Sequence, residues 1–376
     1  MYKWGCFGVF AMLIGCGGSG SNDELLVDDV AVEVVDEVRP ENLPDTVVEQ
    51  PLNTPVDAPL DLDAENSPQV VVADEVVTDV VVADEPSEIV LTVEEQTLES
   101  LPSPFSAMMA DDLEGRLIMA TTRLQADGDR VGLSAYELIR KFGGVKPIES
   151  PDLYAINHPG EPHIYESSDP DVGDHFVFVI HRDHDRDRDK ETITDRQRNE
   201  IKAYSSSSND LKGFLNETMT YQWLFRVNSE MTVSKNFSHF FQLKAVSGDD
   251  SQPILTLTGR ERNGEDVIEI RHSESSDTNY LGRLPWSEVT GEWLQVYVRA
   301  TYAEQGSLRL ILSRLNDDAV LFDVTEQNID LWRGESGADF VRPKWGIYRS
   351  LRDIDNLRAD EEVVDFADFF VQKVSW

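Results

Sequence analysis

Three stretches of the chain carry ionisable or hydrogen-bonding side chains at every second position, the spacing that places them on one face of a β-strand. In RNEIKAY (198–204), Arg198, Glu200, Lys202 and Tyr204 share a face while Ile201 and Ala203 turn away. In FFQLK (240–244), Gln242 and Lys244 share a face opposite Leu243. In KWGIYRS (344–350), Lys344, Tyr348 and Ser350 share a face, and Gly346 leaves space between Lys344 and Tyr348. Any one of these alternations also describes an ordinary solvated sheet face. Together they describe a surface of cations, an amide and a phenol, groups that bind an anion and exchange a proton.

Such a surface needs strands to carry it, and the sequence from about 101 onward supplies them. Thr220–Val227 alternates Tyr221, Trp223, Phe225 and Val227 against Gln222, Leu224 and Arg226, and His175–His181 sets FVFVI between histidines. Further strands are expected at Ser238–Val246, Pro253–Thr258, Val267–Arg271, Trp293–Tyr302, Ser307–Leu312, Lys344–Arg349 and Val364–Val374. One helix is expected over Ser134–Phe142, capped by Ser134 and stopped by Gly143–Gly144. The pattern is all-β: a two-sheet sandwich, read as a bent jelly roll with one concave, solvent-facing sheet and a short N-terminal helix.

The charge is divided unevenly along the chain. Acids outnumber bases 71 to 33 over 376 residues, a net of −38. Residues 17–100 hold 23 acids against the single base Arg39, a net of −22, and residues 101–376 hold 48 acids and 31 bases, a net of −17. A nucleic-acid-binding protein would need a basic footprint, and none is expected as a partner. Both cysteines fall within the first 16 residues, which excludes a disulfide scaffold. Residues 17–100, rich in Val, Asp, Glu and Pro and repeating VVVADE at 70–75 and 80–85, lack the aromatic residues of a core and read as a disordered, self-repelling tether. Residues 1–16 read as a leader: Lys3, an apolar run from Trp4 to Ile14, then Leu13-Ile14-Gly15-Cys16, which resembles the bacterial lipobox. The expected organisation is therefore a signal peptide over 1–16 with Cys16 lipidated, a linker over 17–100 and a catalytic domain over 101–376. Gly17 after the cysteine favours the outer membrane of a Gram-negative bacterium, on its cell-surface or periplasmic face, and the protein is expected to be a monomer.

The three alternating stretches resemble, in order, the motifs of polysaccharide lyase family 7 alginate lyases: R-[ST]-E-L-[RK], Q-[IV]-H and Y-F-K-A-G-x-Y-N-Q. Here they stand as RNEIK (198–202), QLK (242–244) and PKWGIYRS (343–350). DRQRNEIK (195–202) and SHFFQLKA (238–245) are still more similar to heparin-lyase-I-like and glucuronan-lyase-like jelly-roll proteins. The resemblance covers roughly residues 130–376. It implies a concanavalin A-like jelly roll that cleaves a uronate-containing anionic polysaccharide by β-elimination: a carboxylate is neutralised, the C5 proton removed and the leaving O4 protonated. It further implies that Gln242 and Arg198 hold the carboxylate and that Tyr348 is the acid, and also the base if Lys344 and Arg349 lower its pKa. Glu200 would orient Arg198 or Lys344 rather than react itself, with Lys202, Lys244, Lys344 and Arg349 binding substrate.

The sequence departs from the alginate-lyase pattern at Lys244, which stands where that pattern has a histidine. His239 is then the first choice of base, brought onto the active face by a bulge, with His181 and His184 the second. No cofactor is expected. Asp183, Asp185, Asp187 and Asp189 alternate as in a calcium loop, but Arg186 and Arg188 intervene and the glycine is missing, so a self-neutralising loop is preferred with calcium as the alternative. Trp286 and Trp332 are expected to contact sugar, while Trp293 and Trp345 are expected to pack inside. Two other classes remain open on this fold. A non-catalytic carbohydrate-binding lipoprotein would need neither Tyr348 nor His239. A laminarinase-like hydrolase would need an E-x-D-x-x-E strand, which is absent.

Overall fold

Half-apolar strands must bury one face, and these strands bury theirs against one another. The computed structural model describes residues 104–128, 132–274 and 277–375; the expected leader, Cys16 and acidic tether lie outside the described residues. In chain order the helices are α1 (Pro104–Leu113) and α2 (Ala135–Gly143). The strands begin with β1 (Leu117–Leu124), β2 (Ile148–Glu149), β3 (Ile164–Asp169), β4 (Gly173–His181), β5 (Arg196–Lys202), β6 (Thr218–Val227), β7 (Ser238–Val246) and β8 (Leu255–Arg262). They continue with β9 (Glu265–Glu274), β10 (Asp277–Pro285), β11 (Leu294–Thr301), β12 (Gly306–Arg314), β13 (Val320–Ile329), β14 (Phe340–Ser350) and β15 (Glu361–Ser375).

Two antiparallel sheets result, as a jelly-roll sandwich requires. One runs β13-β12-β11-β6-β15-β4-β3, with β1 added along β15; the other runs β10-β9-β8-β7-β14-β5-β2. Phe176, Phe178, Trp223, Phe225, Phe366 and Phe369 of the first sheet meet Phe240, Phe241, Leu257 and Trp345 of the second in one continuous core. The Trp223 and Phe241 rings lie 4.5 Å apart, and Trp345 meets Phe369 edge-on at 5.2 Å. Trp345 is therefore core. Trp293 is also buried, but in a small separate cluster with Leu224 and Ala367. No helix among the described residues is long and apolar enough to cross a membrane.

α2 forms where expected and closes with a capping box: Ser134 accepts from the Glu137 backbone N–H, and the Glu137 carboxylate accepts from that of Ser134. α1 was not expected. It has no acidic residue in its first turn and no base in its last. Tertiary contacts hold it instead, with Phe105 and Met109 on Tyr297 and Ile311, and Asp112 accepting from Tyr297 and Arg299 at 2.7 Å each.

Candidate active site

The second sheet brings the three alternating stretches side by side. On the shared face, Lys344 of β14 lies opposite Lys202 of β5, and Tyr348 lies opposite Arg198. On the other flank of β14, Arg342 pairs with Lys244, Lys344 with Gln242, and Tyr348 with His239. Strict alternation would put His239 and Gln242 on opposite faces. A bulge removes the conflict: between His239 and Phe241 the register with β8 shifts, so Phe240 is an extra residue. Phe240 and Phe241 both turn into the core, each 1% exposed, and His239 and Gln242 both reach the active face.

Gly346 has a role other than leaving space. Its φ of +142° suits glycine, and a Cβ would stand 2.2 Å from the Asn199 carbonyl oxygen of β5. Any side chain there would push β14 away from β5.

At the centre lies a buried ionic cluster. Glu149 of β2 accepts from Lys202 at 2.7 Å, Lys344 at 2.8 Å and Arg198 at 3.3 Å, and Arg188 reaches it at 3.2 Å. Glu200 accepts from Arg198 at 2.7 Å, lies 2.8 Å from Lys344, and accepts from the Gln242 amide. Asp187 accepts from Arg198 Nε at 2.9 Å. Burial pushes the Glu149 carboxyl up, but Lys344, Lys202, Arg198 and Arg188 together hold it well below its ordinary range. Burial pulls the Lys202 ammonium down to about 8 despite Glu149. Burial and the neighbouring Arg198 lower Lys344 as well.

Beside the cluster sit the proton-bearing groups. The Arg198 guanidinium lies 3.7 Å from the Tyr348 ring centroid, and Arg196 donates to the Tyr348 hydroxyl at 3.1 Å. The His239 ring is 5.9 Å from that of Tyr348, stacks on Phe237 at 4.6 Å, and its Nδ1 is 2.8 Å from Thr258 Oγ1. Burial, with Arg271, Arg198, Arg260 and Lys244 nearby, drives the His239 pKa well below 6.5, so the ring is neutral. Arg342 lies over Tyr204 at 4.7 Å, and its buried Nε and Nη1 have no hydrogen-bond partner among the described residues. Chemically, the face offers guanidinium and ammonium groups for an anion, a neutral imidazole to accept a proton and a phenol to give one.

Several expectations are corrected. The face is less exposed than expected: Arg198, Glu200, Lys202, His239, Gln242, Lys244, Lys344 and Tyr348 are all largely buried, packed side by side with Arg198 ion-paired to Glu149 and Asp187. Arg349 points between the sheets, donates to Gln197 at 2.6 Å and lies 3.7 Å from Glu362. Burial lowers its pKa to about 10 and raises that of Glu362 to about 7, so Arg349 is a core residue and not a substrate contact. The cations beside Tyr348 are Arg196 and Arg198, not Lys344 and Arg349. Trp286 is core too, stacked on Phe240 with its N–H donated to the Met231 carbonyl. Trp332 is likewise buried in the main core. The four alternating aspartates do not converge: Asp183 pairs with Arg182 at the surface, Asp187 with Arg198 and Arg188, and Asp185 with histidines, while Asp189 is exposed. His181 ends β4 of the opposite sheet and joins His158, His163 and Asp185 rather than the face; His184 lies exposed beside His158.

Arg196, Arg342, Glu149, Thr258 and Phe237 contact the candidate residues and are not among those the sequence singles out. Arg196 and Arg342 extend the same alternations by one step, which could have revealed them. Glu149 sits in a two-residue strand with no periodicity to read.

No family model matches the chain, and no curated protein is similar to it at a significant level. Among solved structures it is similar to an endo-β-1,4-glucuronan lyase from the fungus Trichoderma reesei, at 13% identity over 60% of this chain and 93% of that one, with a TM-score of 0.39. It is also similar to a marine alginate lyase from Aplysia kurodai, at 8% identity over 68% of this chain and 99% of that one, TM-score 0.44. A third is an alginate lyase in complex with an alginate trisaccharide, at 9% identity over 68% and 99%, TM-score 0.46.

Proposed function

We infer that the protein is a polysaccharide lyase that cleaves a uronate-containing anionic glycan by β-elimination on the outer face of the second sheet. One observation carries this reading: a bulge places a neutral, buried His239 beside Tyr348 and Gln242 on a face lined with cations. Arg342 and Lys244, paired across β14 and β7, would receive the substrate carboxylate, since the buried guanidinium has donors to give. Binding the carboxylate acidifies the C5 proton. With the ring proton held on Nδ1 toward Thr258, His239 would take the C5 proton on Nε2. The C4–O4 bond breaks as the C4–C5 double bond forms, and Tyr348 gives its proton to O4. Negative charge left on the phenolate is held by Arg196 and Arg198. Gln242, bound to Glu200, orients the carboxylate.

A non-catalytic carbohydrate-binding role has one observation in its favour, the near-complete ion pairing of Arg198, Lys202 and Lys344 within the sheet. The two readings separate on incubation with alginate, glucuronan, ulvan and heparin. The lyase reading expects rising ultraviolet absorbance from the unsaturated product on at least one polymer. Retention of polymer with no absorbance on any of them overturns it. The lipid anchor at Cys16 and the spacer over 17–100 complete the proposal, placing the enzyme on the outer membrane.

A further inference from the structure

Away from the active face, His158 and His163, between β2 and β3, meet His181 at the end of β4 and Asp185 in the loop that follows. His158 Nδ1 is 2.7 Å from Asp185 Oδ1, and His163 Nε2 is 3.2 Å from the same oxygen. His163 Nε2 is also 3.1 Å from His158 Nδ1 and 3.2 Å from His181 Nδ1, while His181 Nδ1 is 3.4 Å from Asp185 Oδ2. A tetrahedral ion bound at about 2.0–2.1 Å sets its donors about 3.3 Å apart, close to four of these separations and longer than the 2.7 Å His158–Asp185 contact, with all the donors within 4.8 Å of one another. We propose that His158, His163, His181 and Asp185 bind one divalent transition-metal ion of the zinc class, which fastens the loop over 181–195.

The hydrogen bonds on the outer side of the cluster suit a bound cation. His163 Nδ1 lies 3.1 Å from the Glu161 carbonyl, an acceptor that would hold the ring proton there when Nε2 ligates an ion. His181 Nε2 lies 3.2 Å from Glu361 Oε2, which would do the same for that ring when Nδ1 ligates. The inner nitrogens, His163 Nε2 and His181 Nδ1, lie 3.2 Å from each other and 3.2 and 3.4 Å from the Asp185 carboxylate. Imidazoles steered by an outer carboxylate or carbonyl, with bare nitrogens converging, are what a metal requires. Three nitrogens and one oxygen select zinc-class ions over calcium or magnesium, which take oxygen donors. Four protein donors close the site, giving it a structural rather than a water-activating character.

The site has a route to the active face. Gln197 on β5 donates to the carbonyls of His181 and Asp185, and Asp187, two residues beyond Asp185, accepts from Arg198. A metal that fixes Asp185 and His181 thereby fixes the partner of the guanidinium under Tyr348. The proposal stands apart from the lyase reading, because its test needs no substrate.

The untagged full chain, purified and dialysed against metal-free buffer, should retain about one zinc-class ion per molecule by elemental mass spectrometry. Chelation should lower its melting temperature, zinc should restore it and calcium should not. Cobalt substitution should give the intense visible absorption of a tetrahedral site. His163→Ala and Asp185→Ala should lose the ion, His184→Ala should keep it, and Glu361→Gln should weaken affinity by about 10- to 100-fold. If the ligand variants fail to fold, the cobalt spectrum and zinc-dependent melting of the unaltered chain decide. Sub-stoichiometric metal with no zinc effect on melting, or full retention by His163→Ala, would overturn the proposal.

Discussion

His239, Gln242 and Tyr348 differ in what their surroundings ask of them. Tyr348 keeps its hydroxyl against Arg196 and its ring against Arg198, the setting of a proton donor whose anion is stabilised. Tyr348→Phe should therefore lower kcat by about 10²- to 10⁴-fold, the usual worth of a positioned proton donor, with KM little altered in steady-state assays. Arg342→Ala removes the donors offered to the carboxylate and should raise KM by about 10- to 100-fold, the value of one charged hydrogen bond. His239 makes a pH prediction. Its pKa lies well below 6.5, so kcat/KM should pass through pH 6.5 without the inflection of an ordinary histidine. Below pH 6.5 the unfolded chain takes up a proton on His239 that the folded chain refuses, so this residue's contribution to stability is lost as pH falls toward the folded pKa. On the alkaline side, Lys202 loses its charge near pH 8, and KM for an anionic polymer should rise above that pH.

At the scale of elements, the site depends on three central strands kept in register by irregular residues. Gly346→Ala would drive a Cβ into the β5 backbone at a φ of +142°, and denaturant unfolding should show a loss of at least about 1–3 kcal/mol. Glu149→Gln would leave Lys344, Lys202, Arg198 and Arg188 short of their shared buried anion, and about 3–5 kcal/mol should be lost. These central strands were legible because both their faces are constrained: β6, β7, β11, β12 and β14 alternate sharply and appear within a few residues of expectation. β3, β10 and β13 were not read, because they form sheet edges where less needs burying. β1, which pairs only with β15, is largely exposed for the same reason. The face of the site was readable from period-two spacing, including the need for a bulge at His239. Arg349 was misassigned because the strand face it belongs to is core-facing, and a charged residue buried against Gln197 and Glu362 has no signature of its own. The histidine cluster was invisible for another reason: its members come from separate segments that only the fold unites.

For the whole molecule, the net charge of −38 says little about the substrate, since −22 of it falls in residues 17–100 and the active face gathers Arg196, Arg198, Lys202, Lys244, Arg342 and Lys344 against Glu149, Asp187 and Glu200, an excess of cations. That local field predicts that KM for a uronate polymer rises with added salt, whereas binding to a neutral glucan, if any, does not follow salt. The proposed anchor predicts that Cys16→Ser abolishes incorporation of labelled fatty acid and releases the protein from membranes, with kcat on soluble oligomers unchanged. The central claim, elimination rather than hydrolysis or mere binding, is tested most directly by degrading the preferred uronate polymer in water enriched in heavy oxygen and weighing the products. The account predicts oligosaccharides lighter than hydrolysis products by one water, with an unsaturated non-reducing end and no heavy oxygen taken up during cleavage. Saturated products carrying heavy oxygen, or intact polymer that remains bound, would contradict it.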